Sequence, residues 1–335
     1  MTDFLSEKIK REFRHIYGYL SDEMITDVLL NPDGKLWICR ADGTKTLDKK
    51  TLTTAQTMQL LGSIATYAHI DLTEKNPLLQ TALPWGQRFQ GVIPPVVAAP
   101  SFAVRNHAAR SFSLDDYVSS GRVPQTVAQL LQGFLTCNPP LNIIVSGGTG
   151  SGKTTFTRAM LDELARLCPD QRICVMEDTK ELHLNSEDVV EELTTENINM
   201  RELLAMNLRM RPDRLIMGEV RGAEAYDLLK SWNTGHPGGI CTLHANSSLG
   251  ALSRLESMIL EATDQSILYI RSLIAQAVQI VVQMERVKGY GPMLVEVMRV
   301  DGLDINSRYV TKSLYRKNSG GSSHEQEQIF EETGT

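Results

Sequence analysis

The sequence predicts an α/β protein in two parts, an N-terminal α+β domain followed by a larger domain with a mainly parallel sheet. Two observations carry this. Before residue 120 short strand-like runs mix irregularly with helical patterns, whereas beyond Pro139 and Pro140 apolar strand segments alternate regularly with amphipathic helices. Alternation of that kind argues for a parallel sheet covered on both faces. A third observation sets the scale: 335 residues, 42% hydrophobic and 22% charged, suffice for two ordinary globular cores.

In chain order, apolar spacing predicts helices over Leu5 to Tyr19 and Thr54 to Ala68, with strands at Leu36 to Cys39 and Phe89 to Val92. The first domain is expected to span residues 1–120. The polar stretch with Asp115, Asp116, Ser119, Ser120, Gly121 and Pro124 marks its end, and 121–136 is expected as a linker region containing the helix Val127 to Leu135. The second domain, 137–318, begins with the strand Ile143 to Val145. Further strands are expected at Ile173 to Asp178, Leu215 to Glu219 and Ile240 to Leu243, with a helix at Ala223 to Trp232. Val278 to Arg286 and Met293 to Asp301 flank Gly289 and Gly291 as an antiparallel hairpin. The Ser/Gly/Glu-rich tail, 319–335, is expected to be disordered.

Composition excludes several classes of function. Met1 to Phe13 is charged and lacks the apolar run of a signal peptide, and no run of about 18 apolar residues could span a bilayer. A cytoplasmic chain is expected. The net charge is −6, with the acidic excess in the C-terminal half, so neither half offers the basic field of a dedicated nucleic-acid binder. Cys39, Cys137, Cys168, Cys174 and Cys241 stand singly without C-x-x-C spacing, which predicts reduced, buried thiols rather than zinc ligands or disulfides.

The strongest chemical signal follows the first strand of the second domain. Gly147, Gly148, Thr149, Gly150, Ser151, Gly152, Lys153 and Thr154 match G-x-x-x-x-G-K-[ST], and a helix follows with Phe156, Met160, Leu161 and Leu164 on one face. Glycines let successive N–H groups turn inward around phosphate oxygens, and the helix N-terminus adds partial positive charge. Lys153 is expected to reach the β- and γ-phosphates of a nucleotide. Thr154 is expected to ligate Mg²⁺, with Thr155 beside it in the first helical turn. ATP and Mg²⁺ are therefore the expected ligands.

Two further strands end in carboxylates. Hydrolysis needs one carboxylate to position or deprotonate water and others to hold the metal's hydration shell. Glu219 and Glu177 both suit the first role, and the residues leave the choice open. Asp178, with Glu219, suits the metal shell, although any acidic residue at a strand end can equally serve as a helix cap. In Gly235 to Asn246, His244 emerges beyond the strand Ile240 to Leu243, where it could sense the γ-phosphate or relay its loss; a structural role is the plainer reading of a single histidine.

Taken together, these motifs resemble the secretion-superfamily traffic ATPases, in particular the type IV secretion and conjugal-transfer branch typified by the Trb system. The resemblance rests on four segments in order: Gly147 to Thr154; Glu177-Asp-Thr-Lys-Glu-Leu182; Leu208 to Gly222; and Gly235 to Asn246. It implies a RecA-like C-terminal domain, a homohexameric ring, and inner-membrane components of a secretion or conjugation machine as partners, with peripheral membrane contact and no sequence-specific nucleic-acid binding. It also implies that arginines of the N-terminal domain reach the nucleotide; Arg88, in Arg88 to Pro95, and Arg105, in Phe102 to Asn106, match those segments. The absence of a tetracysteine insertion and the wording of the Glu177 segment fit the conjugation branch better than pilus or type II secretion motors. Those motors and a nucleic-acid translocase are the alternatives.

Overall fold

The computed structural model describes residues 2–22, 24–40, 44–106, 112–182, 184–195, 197–287, 290–317 and 328–329. The chain divides into two compact units, Met1–Arg110 and Ser111–Thr335.

The first unit is an antiparallel sheet with two helices. Helix α1 (Thr2–Phe13) passes into a 3₁₀ segment (Arg14–Leu20), then β1 (Ile25–Leu30), β2 (Lys35–Arg40), β3 (Lys45–Thr51), α2 (Thr54–Tyr67), β4 (Leu78–Ala82), β5 (Arg88–Val92) and β6 (Ser101–Arg105). The sheet order is β3-β2-β1-β6-β5-β4. Helix α2 starts at a capping box, Thr53 and Gln56 exchanging bonds with one another's backbone. The single helix expected over Leu5 to Tyr19 is interrupted: Arg14 adopts a φ of +50°, and the chain tightens to 3₁₀ geometry while still burying Ile16 and Leu20.

In the second unit come α3 (Leu114–Ser119), α4 (Gln125–Thr136), β7 (Ile143–Gly147), α5 (Lys153–Leu167), β8 (Ile173–Glu177), β9 (Val189–Leu193), α6 (Met200–Asn207), β10 (Arg214–Val220), α7 (Glu224–Asn233), β11 (Ile240–His244), α8 (Ser248–Ala262), α9 (Ile267–Ala277), β12 (Ile280–Val287), β13 (Gly291–Leu303), β14 (Tyr309–Arg316) and β15 (Gln328–Ile329). Together the strands make one sheet, β15-β14-β13-β12-β7-β11-β10-β8-β9. From β12 to β9 neighbours run parallel; β13, β14 and β15 are antiparallel. This is the α/β fold with a mainly parallel sheet that the sequence predicts.

Both faces are covered because successive apolar residues point opposite ways. Ile144, Cys174, Met176, Leu215, Met217 and Leu243 join one core with α6 to α9. Ile143, Val145, Ile173, Val175, Ile216 and Ile240 join another with α3, α4 and α5. The stretch expected as a linker, 121–136, thus lies inside the second unit, where α4 buries Val127, Ala128, Leu131 and Leu135. All five cysteines are free; Cys174 and Cys241 are buried as expected, but Cys39 and Cys168 are only half-buried and Cys137 is exposed. Of the tail expected to be disordered, only Gln328–Ile329 is described, pairing with β14; the rest lies outside the described residues. No helix among the described residues is long and apolar enough to cross a membrane.

Candidate functional site

Gly147 ends β7, and the loop that follows turns into α5 at the C-terminal edge of the parallel sheet, where open α/β sheets collect ligands. The loop has room only for glycine at two close approaches. A Cβ on Gly147 would lie 2.3 Å from the Met284 carbonyl oxygen, and one on Gly152 would lie 2.5 Å from Pro292 Cβ. Gly152 holds a φ of +85°, and α5 begins there without any side-chain cap. Several other helices of this unit are capped by Ser or Asn side chains. The first N–H groups of α5 are therefore left for a ligand, and the helix end favours an anion.

Within the loop, Thr149 and Gly150 are exposed, Ser151 and Lys153 are buried, and Thr154 and Thr155 are half-buried. The Ser151 hydroxyl is buried with no partner among the described residues. Lys153 Nζ donates to the carbonyl oxygens of Gly147 (2.9 Å) and Gly148 (3.0 Å) and lies 3.2 Å from His244 Nδ1. Burial lowers its pKa, opposed by the nearby carboxylates of Glu219 and Glu181. The ammonium is parked on neutral acceptors and can swing to a phosphate without breaking an ion pair.

From Lys153 a chain of polar contacts runs along the sheet edge. An ammonium has no lone pair, so His244 Nδ1 accepts from it and the ring proton sits on Nε2, which donates to Glu219 Oε1 at 3.0 Å. Burial and the charge of Lys153 lower the His244 pKa, keeping the imidazole neutral near pH 7. The other Glu219 oxygen accepts from Arg221, which reaches Asp178 Oδ2 at 3.3 Å. Asp178 Oδ1 accepts from Thr194. Lys153, His244, Glu219 and Asp178, predicted separately from sequence, are thus connected, and Arg221 is the connection that sequence reasoning missed. Its signal was present: it stands two residues after Glu219, on the same side of an extended segment.

Glu177 is placed differently. Its carboxylate is 4% exposed and accepts from the backbone N–H groups of Glu181 and Leu182 at 3.1–3.3 Å. Burial pushes its pKa up to about 7. Behind the loop, Ser146 donates to Gln283, whose amide donates to the Ala245 carbonyl at 3.4 Å, tying β12 to the segment that carries His244.

Arg88 and Arg105 belong to the first unit. They face one another across β5 and β6, and Arg105 Nε pairs with Asp27 Oδ1 at 3.0 Å on its other side. For a divalent cation, no group of three or more His, Cys, Asp or Glu side chains converges among the described residues. That donor set does not form a closed protein cage, but Thr154 and Asp178 fit an ion held largely by water and nucleotide phosphates, as Mg²⁺ usually is.

Residues 11–303 match the type II/IV secretion system protein family. The chain belongs to that family. Among similar members, the conjugal transfer protein TrbB of Rhizobium radiobacter is 38% identical over 294 residues, 88% of each chain. The type IV secretion system protein VirB11 of Bartonella henselae is 29% identical over 316 residues, covering 82% of this chain and 88% of that one. In fold, this secretion system protein is similar to the crystal structure of the pilus retraction motor PilT with bound ADP (TM-score 0.63, 20% identity, 84% of this chain and 80% of that one). It is likewise similar to the ATPase DotB of Legionella pneumophila (TM-score 0.60, 15% identity, 91% and 79%).

Proposed function

We propose that this family member hydrolyses ATP to ADP and phosphate as a cytoplasmic homohexamer. Each cycle of closing and opening drives assembly or substrate transfer by a type IV secretion or conjugation apparatus, whose inner-membrane components it contacts. The observation that carries the reading is the unbroken line from Lys153 through His244, Glu219 and Arg221 to Asp178, beside an uncapped helix N-terminus. The membership of conjugal transfer and type IV secretion proteins in the same family supports the cellular role.

The backbone of Gly148 to Thr154 binds the phosphate chain, and Lys153 leaves the carbonyls of Gly147 and Gly148 for the β- and γ-phosphates. Thr154 and Asp178 would hold Mg²⁺, which would supply screening of the phosphate charge. Glu219 positions and deprotonates the attacking water, because its carboxylate stands at the sheet edge with one oxygen on the neutral His244 and the other on Arg221. When Lys153 turns to phosphate, His244 loses a donor and its hold on Glu219 changes, so occupancy of the γ-position reaches the catalytic carboxylate. Glu177, with both oxygens on backbone N–H groups, shapes the turn carrying Asp178. The same reading places Arg88 and Arg105 at the γ-phosphate in the assembled ring, as charge-neutralising donors.

Phosphate release and nucleotide affinity test this together. Lys153→Ala is expected to bind nucleotide at least tenfold more weakly and to release no phosphate. Glu219→Gln is expected to keep its affinity and lose about a hundredfold or more in turnover. Turnover at the wild-type rate in Glu219→Gln would remove Glu219 from its role.

A further inference from the structure

The sheet order places the catalytic groups on one side of the loop only. In β12-β7-β11-β10-β8, the loop leaves β7; His244 stands on β11 and Glu219 on β10, and Lys153 leans towards them. The terminal-phosphate end of a bound nucleotide therefore lies over β11 and β10. Its nucleoside end must leave on the opposite side, over β12.

On that side stands an arginine that nothing above uses. Arg286, exposed on β12 beyond the last residue that pairs with β7, donates Nε–H to the Gly150 carbonyl oxygen at 2.8 Å. A Cβ on Gly150 would meet that nitrogen at 3.9 Å, so the side chain lies across the loop's rim. Its cross-strand partner is Pro292, the residue packed against Gly152. Two residues on one face of the β12–β13 hairpin thus hold the loop at alternate positions. No carboxylate among the described residues pairs with Arg286, and its two Nη groups have no acceptor among them. An arginine held by one N–H, with its charge uncompensated beside an anion cradle, retains the donor fork that suits phosphate oxygens.

We propose that Arg286 binds the phosphate nearest the nucleoside of a nucleotide held by the same subunit's loop, so that the hairpin forms the nucleoside-side wall of the site. The inference rests on the ATP-binding reading above. One N–H fixes Gly150 and the fork meets the phosphate, so Arg286 contributes to binding ATP and ADP alike and takes no part in sensing the γ-phosphate.

The test is titration calorimetry on the full-length protein with ADP and with a slowly hydrolysed ATP analogue plus Mg²⁺. Arg286→Ala is expected to weaken both nucleotides by the same factor, about tenfold to a hundredfold, the range for hydrogen bonds to charged groups. Arg286→Gln can offer an N–H to Gly150 without the charge and is expected to be as weak as the alanine variant; Arg286→Lys, which keeps the charge but not the fork, should fall between. Should Arg286→Ala not fold, the glutamine and lysine variants decide, compared at matched melting temperature without nucleotide. Wild-type affinity in Arg286→Gln would show that the residue only braces the loop and would overturn the proposal, as would a loss confined to the ATP analogue. If the wild-type protein binds ADP and Lys153→Ala does not, the site itself stands whatever Arg286 does; if the wild-type protein binds no ADP, both readings fall.

Discussion

Glu177 and Glu219 each stand near the end of a parallel strand, yet their surroundings give them different chemistry. Glu219 keeps side-chain partners at the sheet edge, whereas Glu177 is enclosed and, among the described residues, its carboxylate accepts only from the N–H groups of Glu181 and Leu182. Burial dominates over those hydrogen bonds and lifts the Glu177 pKa from the ordinary 4.5 to about 7, with the charges of Glu181 and Glu191 adding to the rise. In the unfolded chain this carboxyl ionises near 4.5; in the folded protein it keeps its proton until about 7. Between those values folding takes up a proton, so stability is present at the acid end and is lost as pH rises. The full swing is on the order of 3 kcal/mol. Glu177→Gln removes the titration, so the melting temperature of wild type minus variant should fall by roughly 5–10 °C between pH 5 and pH 8. A difference that stays constant across that range would mean Glu177 is ionised throughout.

At the level of elements, the end of the sheet opposite the site depends on a buried cation. Arg214 opens β10 and is 2% exposed, donating to Gln171 Oε1 at 2.7 Å, the Gly238 carbonyl at 3.1 Å and the Leu135 carbonyl at 2.6 Å. It thereby joins the lead-in to β8, the lead-in to β11 and the last turn of α4. Next to it, a Cβ on Gly239 would lie 1.9 Å from Trp232 Nε1, so the paired glycines of the histidine segment serve close packing as well as the position of His244. Arg214→Met leaves three acceptors without a donor and is expected to cost about 3 kcal/mol or more in stability. Nucleotide affinity below the transition should be unchanged, since the substitution is at the far edge of the strands. A melting temperature within a degree of wild type would show that water replaces the arginine.

The same elements show what the sequence discloses. The runs at Ile143, Ile173, Leu215 and Ile240 were legible because strands buried on both faces are continuous apolar segments, and the loop before α5 because its glycines and lysine are chemically required. The N-terminal sheet was mostly hidden. Strand β3, Lys-Thr-Leu-Asp-Lys-Lys-Thr, is exposed or half-exposed along its length and has no alternation to detect, and Leu78 of β4 faces outward. Arg286 could not be assigned to the site from its own neighbourhood, because the lateral order that puts β12 beside β7 is a long-range choice.

On the scale of the whole molecule, the proposed ring gives a use to two arginines that stand side by side on the sheet of the first unit. Arg88 and Arg105 stand directly opposite one another on the antiparallel pair β5 and β6, on the face away from Phe89 and Val104, which are buried in the core. Like charges in that position repel. Asp27, opposite Arg105 on β1, counters this through an exposed ion pair. Such a pair is worth at most about 1 kcal/mol, so Arg105 can exchange it for a phosphate at little cost. If the two arginines serve the γ-phosphate in the assembled ring, removing either should spare folding and assembly and impair turnover. Arg88→Ala and Arg105→Ala are expected to melt within a few degrees of wild type and, by light scattering with the ATP analogue and Mg²⁺, to reach the same sixfold mass. Phosphate release should fall by roughly a thousandfold or more, from the lower end of the range for arginines that complete a phosphoryl-transfer site. Wild-type turnover in both variants, with the hexamer intact, would detach the first unit from the chemistry; loss of the hexamer instead would mean that the pair belongs to the assembly contact and not to the nucleotide.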